Sequence, residues 1–189
     1  MQKYELVLLL NSKVQESERN DFLSKFEAGF KSNIIQKDDI GLKETSYAIH
    51  GKVDNNMIYY VSYYMTLDNT QLSEVRKNLL YTNVVVRYEI FKMKNDQALL
   101  EYAKVQEELE KIMDSRDDKR FGNKVSFLSH AENDKYVNWK SIAILKKYMT
   151  RFGEIKPRHY TKNSVKTQKK LRQEIIRARS LWLLEFIRR

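Results

Sequence analysis

The chain has 189 residues, with 35 Lys/Arg against 25 Asp/Glu, a formal net charge of +10 and 42% hydrophobic residues, enough apolar mass for one or two packed domains. It holds no cysteine, which excludes disulfides and thiolate metal sites, and no apolar run of the roughly 18 residues that a membrane-spanning helix needs. The charge is uneven: residues 1–95 carry a net +1, residues 96–134 a net −4 and residues 135–189 a net +13. Such a gradient points to a polyanionic partner for the last part.

Met1 to Glu5 passes at once into an apolar run, and residues 11–16 offer no small-residue cleavage site. Leu6 to Leu10 is therefore expected to be a strand of the mature protein and not a secretory signal. Tyr4 to Leu10 is rich in Leu and Val, as a strand buried on both faces should be. Ser12 to Ser17 can open a helix, along which Phe22, Leu23, Phe26 and Phe30 recur at helical spacing, with Gly29 near its end. Ile34 to Ile49 reads as extended with a bend near Gly41, and residues 51–56 (GKVDNN) as a turn cluster. Met57 to Thr66 alternates and is loaded with tyrosine, a strand pattern. Leu72, Val75 and Leu79 define a second helix capped by Asn69 or Thr70. Val84 to Phe91 is β-branched and aromatic, a fourth strand. The order β-α-β-β-α-β over about 90 residues is the ferredoxin-like arrangement, an antiparallel four-stranded sheet with two helices on one face.

Gln97 to Met113 reads as an acidic helix extending the first domain, and Asp114 to Asp134 as a linker without sustained period. Asn138 is expected to cap a helix through Arg151, with Ile142, Leu145 and Met149 as its apolar stripe; Gly153 and Pro157 punctuate its end. A last helix is expected from near Ser164 to about Leu184, with Leu171, Ile175, Ala178 and Trp182 on one face. The predicted fold class is thus α+β: a ferredoxin-like domain over 1–93, an acidic helical extension and linker over 94–134, and a small all-α basic module over 135–189.

Residues 156–179 contain nine Lys/Arg against one acid, Glu174. Cations so dense repel one another unless something neutralises them. Phosphates do so and release counterions, which makes binding strong and salt-dependent. The bland reading is a solvated basic face without a partner, and an excess of +13 over 55 residues weighs against it. The candidate RNA-binding residues are Lys146, Lys147, Arg151, Lys156, Arg158, Lys162, Lys166, Lys169, Lys170, Arg172, Arg177 and Arg179. Arg177 and Arg179 could fork onto phosphate oxygens or stack on bases.

The tyrosine strand raises base stacking as a second idea. Alternation puts Tyr59 and Tyr63 on one face and Tyr60 and Tyr64 on the other, and the aromatic signature of RNA-recognition-motif sheets is absent, so core tyrosines are the preferred reading. Signals for chemistry are poor. His50, His130 and His159 stand alone in three segments, and no metalloprotease, phosphate-loop or nucleophile-elbow motif occurs. Asp38 and Asp39 are adjacent on a strand and point to opposite faces, so they read as turn or edge residues. No catalytic residue, no metal site and no cofactor is expected.

The run Leu145-Lys146-Lys147-Tyr148-Met149, then Gly153-Glu154-Ile155-Lys156-Pro157-Arg158, Thr161, Gln168-Lys169-Lys170-Leu171 and Ile176-Arg177-Ala178-Arg179 with Leu181 and Leu183-Leu184 closely resembles the bacterial small-subunit ribosomal protein S18 family. It departs at Lys162, where that family usually has glycine, and at Glu185, where it usually has proline before the final aromatic. Some members carry a cysteine zinc site upstream, which this chain lacks. The first 93 or so residues resemble the small-subunit ribosomal protein S6 family, through Lys3-Tyr4-Glu5, Asp39 to Lys43 leading to Tyr47-Ala48-Ile49, Tyr59-Tyr60 and Asn83 to Tyr88. The segment from about 95 to 134 matches neither. The resemblance implies a fusion of two proteins that are elsewhere separate chains, pair as a heterodimer and bind the central (platform) domain of small-subunit rRNA. It implies a cytoplasmic, ribosome-resident structural protein with no enzymatic role. Its implied partners are small-subunit rRNA, neighbouring ribosomal proteins and the chain's own other module, with no membrane. The alternative is a stand-alone RNA-binding regulator, supported by Lys162 and the long linker. An enzyme of the acylphosphatase kind lacks its phosphate loop between the first strand and helix.

Overall fold

The computed structural model describes residues 1–47, 56–94, 97–117, 128 and 131–186. His50, His130, most of the 51–56 turn cluster and much of the expected linker lie outside the described residues. The chain divides into two compact units, Met1–Glu101 and Tyr102–Arg189.

The first unit runs β1 (Gln2–Asn11), α1 (Glu16–Gly29), β2 (Ile34–Glu44), β3 (Met57–Leu67), α2 (Asn69–Leu80) and β4 (Val85–Lys92). The sheet order is β2-β3-β1-β4 and every pairing is antiparallel. This is the expected α+β, ferredoxin-like sheet. Strand β1 is central, which explains its continuous apolar run: Glu5 to Leu10 are all buried. Because strand side chains alternate, Leu6, Leu8 and Leu10 join Val61, Tyr63 and Met65 of β3 on one face. There they pack with Leu23 and Phe26 of α1, Phe30 just after it, and Val75 and Leu79 of α2. Each such leucine contributes about 1.5–3 kcal/mol by burial.

Tyr60, Tyr63 and Tyr64 of β3 are core residues, and Tyr59 packs against the core partly buried. Tyr63 packs 5.5 Å from the Phe26 ring and donates to Glu27 at 2.8 Å. Tyr60 and Tyr64 are fully buried on the opposite face, where Tyr64 donates to the Leu100 carbonyl at 2.8 Å. The hydroxyl of Ser62, on that same face, donates to the buried Glu5 carboxylate at 3.2 Å. Burial works against the Glu27 charge, but hydrogen bonds from Lys37 and Tyr63 and the Lys37 charge outweigh it, so its carboxyl sits below the ordinary value.

The bend near Gly41 is a bulge: the β2–β3 register shifts between Asp39 and Gly41, and Gly41 adopts φ 78°. Asp39 accepts from the Gly41 amide at 3.1 Å and from Tyr59 at 2.7 Å, the edge role expected of it. The α2 cap is Asp68 instead of Asn69 or Thr70. Gln71 reaches back to the Asp68 amide while Asp68 accepts from the Gln71 amide, and a capping box requires those two residues three apart.

Burial, aided by the bond to Asp39, pushes Tyr59 up to about 12, and burial drives Tyr60, Tyr63 and Tyr64 well above the ordinary value. An unfolded tyrosine ionises near pH 10. The folded values are the higher ones, so the stabilisation is complete below about pH 10 and is lost as pH rises through the folded values. Followed by tyrosinate absorbance on raising the pH, these four tyrosines should ionise late and together with loss of the near-ultraviolet dichroism. Early ionisation of all tyrosines with the fold intact would contradict the burial.

The second unit contains α3 (Tyr102–Asp117), a 3-10 segment (Ala131–Tyr136), α4 (Ile142–Lys147), α5 (Arg158–Thr161) and α6 (Val165–Ser180). The acidic helix α3 belongs to this unit, not to the first as its position in the chain suggests. Its Gln106 donates to the Lys140 carbonyl at 2.9 Å. The helix expected from Asn138 to Arg151 is shorter. Asn138 makes a turn, accepting from the Lys140 amide at 2.9 Å. The chain leaves α4 at Tyr148 to form an antiparallel bridge between Met149 and Ile155, around Gly153 at φ 87°. The last helix also ends early. The Trp182 amide donates to Arg179 at 3.0 Å and the Leu183 amide to Ala178 at 2.9 Å, with Trp182 at φ 61°. This is a Schellman stop, and it takes Trp182 off the helical face assigned to it.

Candidate nucleic-acid interface

Helix α6 carries the interface. Ser164 caps it, accepting from the Thr167 amide at 3.0 Å. Thr167, Leu171, Glu174, Ile175 and Ala178 form its buried stripe, so Lys166, Lys169 and Arg172 fall on the exposed side. The apolar stripe holds the helix down and the cations follow from the same 3.6-residue period.

Of the twelve candidate cations, Lys146, Lys147, Arg151, Arg158, Lys162, Lys166, Lys169 and Arg172 are exposed. Lys146 and Lys147 stand in the last turn of α4, where cations favour the helix dipole. Arg151 lies in the turn closed by the Met149–Ile155 bridge, its guanidinium 4.6 Å from the Phe152 ring. Ile155, Arg158, Val165, Gln168, Lys169 and Arg172 line an open groove of about 560 Å³. A second concavity, of about 610 Å³ and lined by Pro157, Arg158, His159, Lys162 and Asn163, shares Arg158 with it.

The other four cations are committed inside the unit. Lys156 donates to the Lys147 carbonyl at 2.8 Å. Lys170 donates to the Asp134 carbonyl at 2.7 Å, and burial holds its ammonium below the usual lysine value, only partly offset by Glu174 and Asp134. Arg179 donates to the carbonyls of Glu185 and Gly153. Arg177 pairs with Glu174 at 2.9 Å, their side chains only 12% and 5% exposed. The two arginines expected to fork onto phosphate are thus also ties of the fold. Lys140, part of the basic excess, is fully buried.

Sequence reasoning missed the polar residues that shape the groove. Gln168 donates to the Lys156 carbonyl at 2.9 Å and accepts from Thr161 at 3.3 Å and Asn163 at 3.2 Å. Thr167 donates to Asp134 at 2.7 Å, and Glu174 also accepts the Trp139 amide at 3.0 Å. The available signal was that Thr167 and Glu174 fall on the apolar stripe of α6. A polar residue placed there needs a buried partner.

Lys162 resolves its own oddity. It follows α5 at φ 54° and donates its amide to the Arg158 carbonyl, the left-handed closing position that favours glycine. The lysine keeps the backbone path that a glycine would take, at a cost of roughly 1–2 kcal/mol. Lys162→Gly should therefore raise stability in urea unfolding by about 0.5–1 kcal/mol, net of glycine's greater unfolded-state entropy, whereas Lys162→Ala should not. Equal effects of the two would remove the backbone explanation.

Among the described residues no cluster of three or more His, Asp or Glu could hold a metal ion, and no helix is long and apolar enough to cross a membrane.

A family model described as ribosomal protein S18 matches residues 133–184, and one described as ribosomal protein S6 matches residues 3–92. The small ribosomal subunit protein bS18 of Mycoplasma capricolum is 39% identical over 64 residues, which are 34% of this chain and 84% of that protein. The bS18c protein of Guillardia theta is 38% identical over 61 residues, 32% of this chain and 84% of that protein. Among solved structures, the 30S ribosomal protein S6 of Thermotoga maritima aligns with 59% of this chain and 97% of its own, at 17% identity and a TM-score of 0.44. The chain belongs to the ribosomal protein S18 family through its second unit and carries a ribosomal protein S6 domain before it: it is a small-subunit ribosomal protein in which the two are fused.

Proposed function

We propose that this chain binds the central (platform) domain of small-subunit rRNA as a structural component and performs no chemistry there. The observation that carries the reading is the set of exposed cations on the second unit. Eight of the candidate cations are exposed, and four of them, Arg158, Lys162, Lys169 and Arg172, line two grooves that share Arg158, within the segment that matches the S18 family. Phosphate neutralisation is the interaction such a surface supports best. The two modules pair within one chain. A tether turns a bimolecular encounter into an intramolecular one at roughly millimolar effective concentration, which is the physical advantage of fusing them.

The test is sedimentation of native lysate through a sucrose gradient at moderate salt, with the protein quantified by mass spectrometry. About one copy per small subunit is the expected result. A protein that stays at the top of the gradient, bound to messenger RNA, would be a stand-alone regulator instead. For the pairing, residues 1–101 and 102–189, the two compact units, expressed as two chains should co-purify; failure to associate would remove that part of the proposal.

A further inference from the structure

The exposed aromatics of the second unit are not equivalent. Phe152 is 54% exposed, but the Arg151 guanidinium lies 4.6 Å from its ring. Phe186 is likewise exposed and has the Arg179 guanidinium 5.4 Å away. Tyr160 is 75% exposed, and its ring contact is with its neighbour His159, centroids 4.3 Å apart and planes tilted by 41°. These two rings form an aromatic step on α5. It is flanked in the chain by Arg158 and Lys162, both exposed, and both line with His159 the concavity of about 610 Å³. Local structure holds the step in place. Pro157 precedes α5 in extended conformation, the Tyr160 and Thr161 amides donate back to the Pro157 carbonyl, and Thr161 and Asn163 are buried and bonded to Gln168.

An aromatic ring left in water, packed on His159 and with an exposed cation two residues away on either side in the chain, has the two elements that hold a single-stranded nucleotide: a π-face for the base and positive charge for the phosphates. We infer that Tyr160, with His159, is a stacking platform for one unpaired base of the bound RNA, whose flanking phosphates lie on Arg158 and Lys162. This rests on the RNA-binding reading above and adds to it a subsite for single-stranded RNA. A duplex keeps its bases stacked on one another and offers the platform no free π-face. Tyr160 therefore contributes to single-stranded binding and not to duplex binding, and its contribution does not depend on salt, because stacking releases no counterions.

The experiment uses the full-length chain with two probes of equal length, a single-stranded oligoadenylate and a blunt RNA duplex, titrated by fluorescence anisotropy over a range of salt. Tyr160→Ala should weaken single-strand affinity about 10-fold, leave duplex affinity within about 2-fold and leave both salt slopes unchanged. Tyr160→Phe, which keeps the ring, should bind like the parent. Tyr81→Ala, at a 90% exposed tyrosine of the first unit, should change nothing. Unchanged single-strand affinity in Tyr160→Ala overturns the platform, as does an equal loss on both probes or an equal loss in Tyr160→Phe. If the parent chain binds neither probe in a salt-dependent way, the RNA-binding reading itself fails, and the platform with it.

Discussion

Replacing Glu174 by alanine is expected to destabilise the second unit by about 3–5 kcal/mol, the range for breaking a buried ion pair from one side. The carboxylate is almost fully buried and has two duties. It accepts the Trp139 amide at 3.0 Å and the Arg177 guanidinium at 2.9 Å. Alanine removes both acceptors, leaving a buried backbone N–H and a largely buried cation without that partner, and each carries a desolvation cost that water no longer offsets. Glu174→Gln should be milder, because the amide oxygen can still accept from Trp139. The chain's two tryptophans, Trp139 and Trp182, both belong to the second unit. Their fluorescence during urea unfolding therefore reads this unit specifically. A shift in midpoint of less than about 1 kcal/mol equivalent for the alanine variant would show that Glu174 is not the tie the geometry describes.

The same geometry separates two kinds of cation, and the second large effect follows from it. Replacing Arg158, Lys169 and Arg172 together by glutamine should lower affinity for a central-domain rRNA transcript roughly 100- to 500-fold at about 0.1 M salt. It should also flatten the dependence of log affinity on log salt by about 2 to 2.7, at roughly 0.7–0.9 for each phosphate no longer neutralised. These three side chains line one groove and are exposed, so tryptophan-monitored stability should stay close to that of the parent. Arg177→Ala should behave in the opposite way: its guanidinium is paired in the interior, so unfolding comes first and any weakening of RNA binding follows from it. If the triple variant keeps the parental salt slope, the groove is not where phosphates bind.

Lys162 shows how far a departure from a family pattern can be judged without coordinates. In the sequence it stands where a relative would have glycine, and that absence lent support to a regulator that had left the ribosome. In the structure the lysine adopts glycine's left-handed backbone, and the turn between α5 and α6 survives. The departure then carries no argument about role.

What the sequence by itself determined were the properties that follow from short-range periodicity and from total charge. The alternation of β3 separated Tyr59 and Tyr63 on one face from Tyr60 and Tyr64 on the other. The unbroken apolar run of Leu6 to Leu10 required a strand buried on both faces. The 3.6-residue stripe of Leu171, Ile175 and Ala178 marked the buried side of α6, but the polar face read opposite it, Lys166, Lys170, Gln173 and Arg177, is exposed only at Lys166 and Gln173, whereas Lys170 and Arg177 are drawn inward. The +13 excess and the motif series around Arg158 and Arg177 led to an S18-like module, because a charge total and a residue series need no coordinates.

Only the tertiary structure decided which cations are available. Lys140, Lys156, Lys170, Arg177 and Arg179 count as equal positive charges in a sequence, yet all five are drawn wholly or partly into the unit by partners such as Glu174 and the carbonyls of Lys147, Asp134 and Gly153. Apart from Glu174, which stands three residues before Arg177, those partners are backbone carbonyls, which no residue pattern marks. The element ends were hidden for the same reason. The end of α4 depends on a bridge from Met149 to Ile155, and that of α6 on a left-handed Trp182, a conformation that the identity of tryptophan does not announce. Periodicity shows which face of an element is buried, but the partner that meets a buried charge is set by how the elements pack.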